Sequence, residues 1–457
     1  MKFWFDFEVP RAKVAFGRVV LFTLLALDAV LQLRHAPRYG TDFNVAQLPG
    51  LDGLGPGRFG YGAGQLVLAY AFVMIACGVA TRWFVPLAAV IYNWLYFGSQ
   101  LDSYQHHYLI AMLLILACFV PWQGAGPVKS WALRLMLVEL GIVYLWAAIS
   151  KLDPLWLDGG ALGGQIHGSL RSLIDATIGM KAVAILVPLT ELALVGVWAR
   201  RLWPYLAPLG ILFHLGIVWS GLEIGLFAWL MIGLYAFVIP DRVYVVVTRR
   251  LAPVHAVWRR LAMAVEARRW LVLAGSIVAG IVLALSCRFP DALGLALGLT
   301  LGLVALAARR REVAALGLAH VLALGVWCFV DRTSSVTRDY YKFWGGTARR
   351  LKDPVAAESA YRRLAELAPD DATAHYYLGR LLLDRDAADE GLAELHVAER
   401  LDTRTARAYI TEASWLARHD RTNEAIEAAR KALQIDPNDA ETRTLYQRLL
   451  ARTGHAP

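Results

Sequence analysis

Charged residues are scarce in this 457-residue chain. Asp, Glu, Lys and Arg make up only 18% of it, while 58% of its residues are hydrophobic. An average soluble domain is about a quarter charged. This apolar composition excludes a disordered chain, because disordered chains have low hydrophobicity. It also argues against a single soluble globule, and it predicts instead a polytopic membrane protein.

Cysteine is rare as well, and a signal-peptide cleavage site is missing. The four cysteines, Cys77, Cys118, Cys287 and Cys328, lie inside apolar runs without CxxC spacing. We therefore expect small packing residues rather than disulfides. The N-terminal residues show no small-residue cleavage site after a short apolar core, which predicts a retained first helix rather than a removed signal.

About eleven apolar runs approach the roughly 20 residues that a membrane-spanning helix needs. They lie at 14–33, 62–80, 82–99, 107–122, 130–149, 179–198, 202–219, 221–239, 270–287, 291–308 and 313–330. Lys2, Arg11, Lys13 and Arg18 at the start of the first run predict a cytoplasmic N-terminus. Alternation from there places the other basic clusters inside and the tail outside. The net charge of +9 thus indicates topology rather than nucleic-acid binding.

The C-terminal tail changes in composition near Asp331, where charged residues become frequent and a 34-residue period begins. Pro369 and Pro437 lie two periods apart. The small and apolar positions of the period are Leu378, Gly379, Leu382, Gly391, Ala398, Ala413, Leu416, Ala425 and Ala432. The segment 350–457 resembles a tetratricopeptide (TPR) array, an α-solenoid that usually binds a peptide or protein. A helical cap without a partner is the other interpretation.

Ionisable side chains inside predicted membrane helices are costly and are therefore candidates for function. They are Asp28, Glu139, Glu191, His214, Glu223 and His320. His106, His107 and Lys151 lie at outer helix ends. The residues alone leave other roles open, because Lys151 could simply reach the membrane surface and the polar groups could cross-link helices. Two adjacent histidines without further ligands do not make a metal site, and we expect none.

Three sequence blocks follow one another in the first half of the chain. Arg18 and Asp28 are ten residues apart within FGRVVLFTLLALDAV, and His106 follows TRWFVPLAAVIYNWLYFGSQLDSYQ. The third block, VYLWAAISKLDPLWLDGGAL, contains Tyr144, Ala147, Lys151, Leu152, Asp153, Trp156 and Gly159. Over about 14–240 these blocks resemble the transmembrane domain shared by vitamin K-dependent gamma-glutamyl carboxylases and their bacterial relatives, the HTTM family.

The resemblance implies a quinol-dependent carboxylation of glutamate in exported polypeptides. In that family a free amine deprotonates reduced vitamin K, which reacts with O2 and then removes a γ-proton from glutamate, and CO2 adds to the carbanion. Lys151 matches the family base, and His106 matches the histidine that supports the developing charge. The implied cofactor is reduced vitamin K or menaquinol, with O2 and CO2 as co-substrates.

Further residues of the matched region are candidates for the quinone or substrate cavity or for structure. The cavity candidates are His107, Tyr144, Asp153, Trp156, Glu191 and His214. Arg18 and Asp28 are candidates for a structural motif.

The chain departs from the family pattern at several places. Ser150 replaces the first of two paired lysines, and Gln105 and His107 flank His106 where the family has Asn and Ser. Three further helices and the repeat array stand in place of a lumenal propeptide-binding domain. These features favour the alternative of a non-catalytic HTTM-family protein for peptide maturation or export, or a quinone or lipid binder, with the repeats recruiting a client.

The sequence as a whole predicts an all-α protein of the bacterial inner (plasma) membrane, a polytopic helix bundle followed by a TPR-like α-solenoid. A carboxylase-like bundle occupies 1–240, a basic amphipathic cytoplasmic connector 241–269, three additional helices 270–330 and an extracytoplasmic repeat domain 350–457. Its expected partners are membrane lipid and an exported peptide or protein.

Overall fold

A computed structural model describes most of the chain, namely residues 2–39, 45–48, 50, 52–101, 104–222, 226–250 and 335–453, with isolated positions between 267 and 333. Most of these residues are helical. The chain divides into two compact units. The first contains Met1–Leu33 and Asp42–Ser334, and the second contains Arg34–Thr41 and Ser335–Pro457.

The first unit is built from helices of very different length. They are α1 Lys2–Phe5, α2 Arg11–Gln32, α3 Arg58–Cys77, α4 Thr81–Phe97, α5 Gln105–Ala117, α6 Trp131–Ser150, α7 Pro154–Leu157, α8 Gly160–Gly163, α9 Gly168–Thr177, α10 Met180–Leu194, α11 Trp203–Trp219, α12 Phe227–Leu234 and α13 Asp241–Arg250. Two short strands, β1 Glu8–Val9 and β2 Val128–Lys129, pair antiparallel with Glu8 opposite Lys129.

Five helical segments of the described chain are long and apolar enough to cross a membrane: Arg11–Arg38, Arg58–Cys77, Trp131–Ser150, Met180–Trp198 and Arg200–Trp219. They overlap five of the predicted spans. The predicted spans 82–99 and 107–122 contain helices α4 and α5, of 17 and 13 residues, which are short for a bilayer. In the predicted span 221–239, Phe227–Phe237 is followed by an 85° bend into Asp241–Val247.

Several sequence-based predictions lie outside the described residues. These are Glu223, Cys287, His320 and Cys328, the three additional helices at 270–330 apart from isolated positions, and almost all of the connector 241–269 beyond α13.

Lys13, one of the basic residues from which the sequence predicts a cytoplasmic N-terminus, is buried in the structure. It lies in the first turn of α2 and is fully buried. Its Nζ lies 2.6 Å from Asp241 Oδ1 and 3.7 Å from the centre of the Trp203 ring. A carboxylate and an aromatic face together compensate a buried ammonium, so Lys13 joins α2 to α11 and α13.

The second unit is a succession of helices of similar length. In its described part they are α14 Val336–Arg350, α15 Pro354–Leu367, α16 Ala372–Leu383, α17 Ala388–Leu401, α18 Arg407–Arg418, α19 Thr422–Ile435 and α20 Ala440–Arg452. Each helix packs against the one before it. Small residues of the 34-residue period lie at the contacts: Ala413, Ala425 and Ala432 are almost fully buried.

The contact between α16 and α17 depends on two glycines. A Cβ on Gly379 would lie 2.8 Å from the carbonyl oxygen of Gly391 and 3.0 Å from the backbone nitrogen of Leu395. Both neighbours are backbone atoms, so neither can move aside without separating the helices. Gly346, within α14, has nothing within 4 Å of its added Cβ.

We expect Gly379→Ala to destabilise the second unit by about 1–3 kcal/mol, the usual cost of overpacking. The matched control Gly346→Ala should stabilise by about 0.4–1 kcal/mol, because alanine lowers the entropy of the unfolded chain. Hydrogen exchange of the full chain in detergent measures both changes. Equal protection of α16 and α17 in Gly379→Ala and the wild type would contradict the close packing of these helices.

Candidate functional site

Lys151 lies where α6 ends, and a buried carboxylate faces it. The helix stops there because Asp153 and Pro154 begin α7. Lys151 Nζ donates to the carbonyl oxygen of Ala147 at 3.0 Å and pairs with Glu191 Oε1, on α10, at 2.8 Å. The side chain of Glu191 is only 7% exposed, and within the described chain its Oε2 has no hydrogen-bond partner. The carboxylate therefore keeps one oxygen for a further donor.

The short helix α7 holds Lys151 from another side. Asp153 caps this helix by accepting the backbone N–H two residues further on, at 2.8 Å. The Trp156 ring centre lies 5.4 Å from Lys151 Nζ, and its indole N–H donates to the carbonyl of Ala184 on α10 at 3.0 Å. Gly159 has φ 87°, and a Cβ there would lie 3.0 Å from the α10 backbone. The third sequence block thus packs α7 onto α10 around the lysine.

A chain of buried hydrogen bonds lies in the same part of the bundle. Tyr235 donates its hydroxyl hydrogen to Tyr144 Oη at 3.0 Å, and Tyr144 Oη lies 2.7 Å from His214 Nε2. The Tyr144 hydroxyl is therefore hydrogen-bonded to both Tyr235 and the His214 ring. Gly210, one turn before His214, has no side chain, and the Tyr235 ring occupies the space that a Cβ would need. These hydrogen bonds link α6, α11 and the turn after α12.

The ion pair and the hydrogen-bonded tyrosine–histidine chain both involve α6. Lys151 and Tyr144 are seven residues apart along α6, which places them on one helix face about 10 Å apart along the axis. Four of the predicted residues therefore form two polar pairs along this face: Lys151 with Glu191, and Tyr144 with His214.

The two adjacent histidines occupy different environments. His107 is buried, and its Nδ1 lies 2.8 Å from the Tyr92 hydroxyl. His106 is partly exposed, stacks on Tyr104 with 5.5 Å between ring centres, and lies 5.1 Å from the Phe227 ring. Of the two, His107 has its ring fixed by a tyrosine, whereas His106 lies at the edge of an aromatic cluster.

An apolar cavity begins beside His106, because Phe227 also belongs to its wall. Its lining residues come from α2, α5, α6 and α12 and are all apolar: Leu21, Phe22, Leu25, Leu109, Ile110, Leu113, Leu114, Ala117, Met136, Phe227, Leu230, Met231 and Leu234. The cavity is small. Such a lining suits an apolar ring or an isoprenoid chain rather than a charged ligand.

Arg18 and Asp28 have separate structural contacts. Ten residues along α2 correspond to about 15 Å, too far for a direct ion pair. Arg18 Nη1 donates to the carbonyl of Trp122 at 3.1 Å and lies against Gly78 at the end of α3. Asp28 is buried and accepts from Gln32 at 3.5 Å. Arg18 therefore joins α2 to two neighbouring segments at one level of the bundle.

Two tyrosines of the site, Tyr235 and Tyr92, are absent from the residues that the sequence singles out. They are two of 18 tyrosines, and neither lies in a charged or periodic pattern that would mark it. Their roles come from hydrogen bonds to residues 91 and 15 positions away in the chain.

The part of the chain that the structure describes is mostly helical, with five helical segments long and apolar enough to cross a membrane, and the chain divides into two compact units. Its sequence matches no protein-family model, and no curated protein matches it.

Proposed function

We propose that the first unit is a carboxylase-like transmembrane domain of the HTTM kind, and that the chain uses a quinol to carboxylate glutamate side chains of exported polypeptides. The observation that supports this most directly is the Lys151–Glu191 pair. A lysine beside a buried carboxylate, and closed in by Trp156, would act as the base after it has passed its own proton to that carboxylate.

The finer architecture belongs to the same proposal. Helices α4, α5 and α12, although short, would complete eight membrane crossings within residues 1–240, and 270–330 would add three more. The N-terminus would lie in the cytoplasm of a bacterial inner membrane and the second unit outside. In the second unit, α14 to α20 would form a TPR-like solenoid, supported by 34-residue spacing and by small residues at helix contacts.

The described residues fit a quinol in two respects. The lining of the small apolar cavity beside His106 matches a quinol only in its chemistry, because the cavity has room for about one water molecule and would have to widen. Glu191 Oε2, on α10, is a buried acceptor without a partner among the described residues. When bound, the reduced quinone would supply, together with O2, the strongly basic chemistry that removes a γ-hydrogen of glutamate before CO2 adds.

The protein's own residues would handle the protons. Lys151 can accept a proton only after it has released one of its own, and Glu191 Oε1, at 2.8 Å, is an acceptor within direct reach. Tyr144, His214 and Tyr235 would hold the wall of the site in one arrangement, because each hydroxyl of the chain has a defined partner. His106 would supply a hydrogen bond at the aromatic edge of the cavity.

A second candidate function follows from the same ion pair. Lys151 already donates to both Ala147 and Glu191, which is what a cross-link between α6 and α10 requires. On this reading the bundle is a non-catalytic membrane anchor or a quinone or lipid binder, and the second unit recruits a client for maturation or export.

Labelled bicarbonate incorporation separates the two functions. Purified protein in detergent receives reduced vitamin K or menaquinol, O2 and a Glu-containing peptide, and both peptide label and quinone epoxide are measured. We expect epoxide that depends on quinol and on O2, even with a poor peptide. Folded protein that yields neither label nor epoxide with either quinol would contradict the enzyme and favour the anchor or binder.

A further inference from the structure

Three ligating side chains converge in the second unit. His396 and Glu399 are three residues apart on α17, so they share one helix face. Glu412 faces them from α18, with its Oε1 2.8 Å from His396 Nε2. One ligand atom from each of the three lies within 4.8 Å of the other two.

The central residue of this cluster is a buried carboxylate with an unused oxygen. Glu399 is 8% exposed, and among the described residues its Oε1 has no hydrogen-bond partner. Burial, and then the charge of Glu412, raise the pKa of Glu399 to about 8. Two neighbouring carboxyl groups in a buried place repel each other unless a proton or a cation lies between them.

The cationic side chains near Glu399 do not pair with its unused oxygen. Lys431 on α19 and Arg400 on α17 act on Glu399 through space only, and neither hydrogen-bonds to its Oε1. Lys431 Nζ lies 5.7 Å from the centre of the Tyr409 ring. Tyr409 itself has its pKa raised by burial and by the two glutamates. The unused oxygen of Glu399 therefore has no cationic partner among the described residues.

We propose that His396, Glu399 and Glu412 bind one divalent transition-metal ion such as Zn²⁺ or Co²⁺. Imidazole with two carboxylates is a donor set for such ions rather than for Mg²⁺ or Ca²⁺, which prefer oxygen alone. Ligand atoms around a tetrahedral ion are about 3.4 Å apart for bonds of about 2.1 Å, so small side-chain rotations suffice. The ion would cross-link α17 and α18, and the half-exposed His396 leaves a coordination position open to solvent.

A second histidine–glutamate pair lies earlier in the second unit, and it serves as a control because it has no third ligand beside it among the described residues. His375 Nδ1 lies 2.6 Å from Glu394, and its Nε2 lies 3.0 Å from the carbonyl of Pro369. Both ring nitrogens are engaged, so His375 has none left for a metal. His375→Gln is therefore the control for His396→Gln.

Metal titration of the full chain in detergent, after chelator treatment and without a histidine tag, tests the site. We expect one equivalent of Co²⁺ with visible absorption, displaced by Zn²⁺. Glu399→Gln, Glu412→Gln and His396→Gln should each weaken binding at least about tenfold, and His375→Gln should not, because ligand loss costs at least as much as loss of an outer partner.

Either of two results would overturn the site: no saturable Co²⁺ or Zn²⁺ binding, or binding that all three cluster variants retain. Glu399 and Glu412 would then simply share a proton. Hydrogen exchange of α17 and α18 verifies that each variant is folded. Because the readout is metal binding, its failure leaves the quinol reaction of the first unit untouched.

Discussion

Lys151→Met should abolish quinol-dependent epoxide formation, with a loss of at least about 100-fold, the range for removal of a general base. Membrane insertion should stay normal, but the variant should be less stable than the wild type, because the buried Glu191 carboxylate loses its partner, so rates are compared per amount of folded protein. The matched control is Lys181→Met, which removes an exposed lysine at the start of α10 and should leave the rate unchanged.

Lys151→Arg distinguishes a base from a structural cation. A guanidinium can keep the ion pair with Glu191, but it cannot be deprotonated in a protein. We therefore expect wild-type stability without activity. If Lys151→Arg carboxylates or forms epoxide at the wild-type rate, Lys151 is a cross-link between α6 and α10 and the enzyme mechanism does not apply.

Glu191→Gln should lower the turnover rate by about 10²-fold or more, because Lys151 loses the acceptor that lies 2.8 Å away. The amide keeps the shape of the side chain, so the quinol KM should change little. Initial rates at several quinol concentrations separate the two parameters. A variant that loses quinol affinity and keeps its rate would assign Glu191 to binding instead of proton transfer.

Thermal unfolding of the pair variants provides a second readout for Glu191. Removing one partner of a buried ion pair leaves an uncompensated charge and costs up to about 3–5 kcal/mol, whereas removing both can be neutral. The double variant Lys151→Met/Glu191→Leu should therefore be more stable than Glu191→Leu alone and equally inactive. Additive losses of stability would mean that the two side chains do not interact.

The sequence predicts the long spans well because a bilayer imposes a simple rule on composition. The runs at 62–80 and 130–149 lie within a few residues of Arg58–Cys77 and Trp131–Ser150. Hydropathy predicts the ends of a helix less accurately where the helix is short or bent. Gly98 ends α4 after 17 residues, and Phe227–Phe237 is followed by an 85° bend into Asp241–Val247.

The candidate site could be predicted only in part. Glu191 and His214 can be predicted as candidates because ionisable groups in apolar helices are costly. Lys151 can be predicted because it lies in the third sequence block. Their partners could not be predicted, since Lys151 and Glu191 are 40 residues apart and Tyr144 and His214 are 70 apart. Likewise, the spacing of His396 and Glu399 suggests one helix face, but nothing in the sequence assigns Glu412 to it.

The amino-acid sequence by itself determined the membrane class, the helical content and the change of composition near Asp331, since these depend on local hydropathy and periodicity. The tertiary structure decided which polar groups meet. It buried Lys13 against Asp241, paired Lys151 with Glu191, hydrogen-bonded Tyr235 to Tyr144 and left Oε1 of Glu399 without a partner among the described residues. Such contacts join distant segments, and only the packing of helices, not the order of residues, brings those segments together.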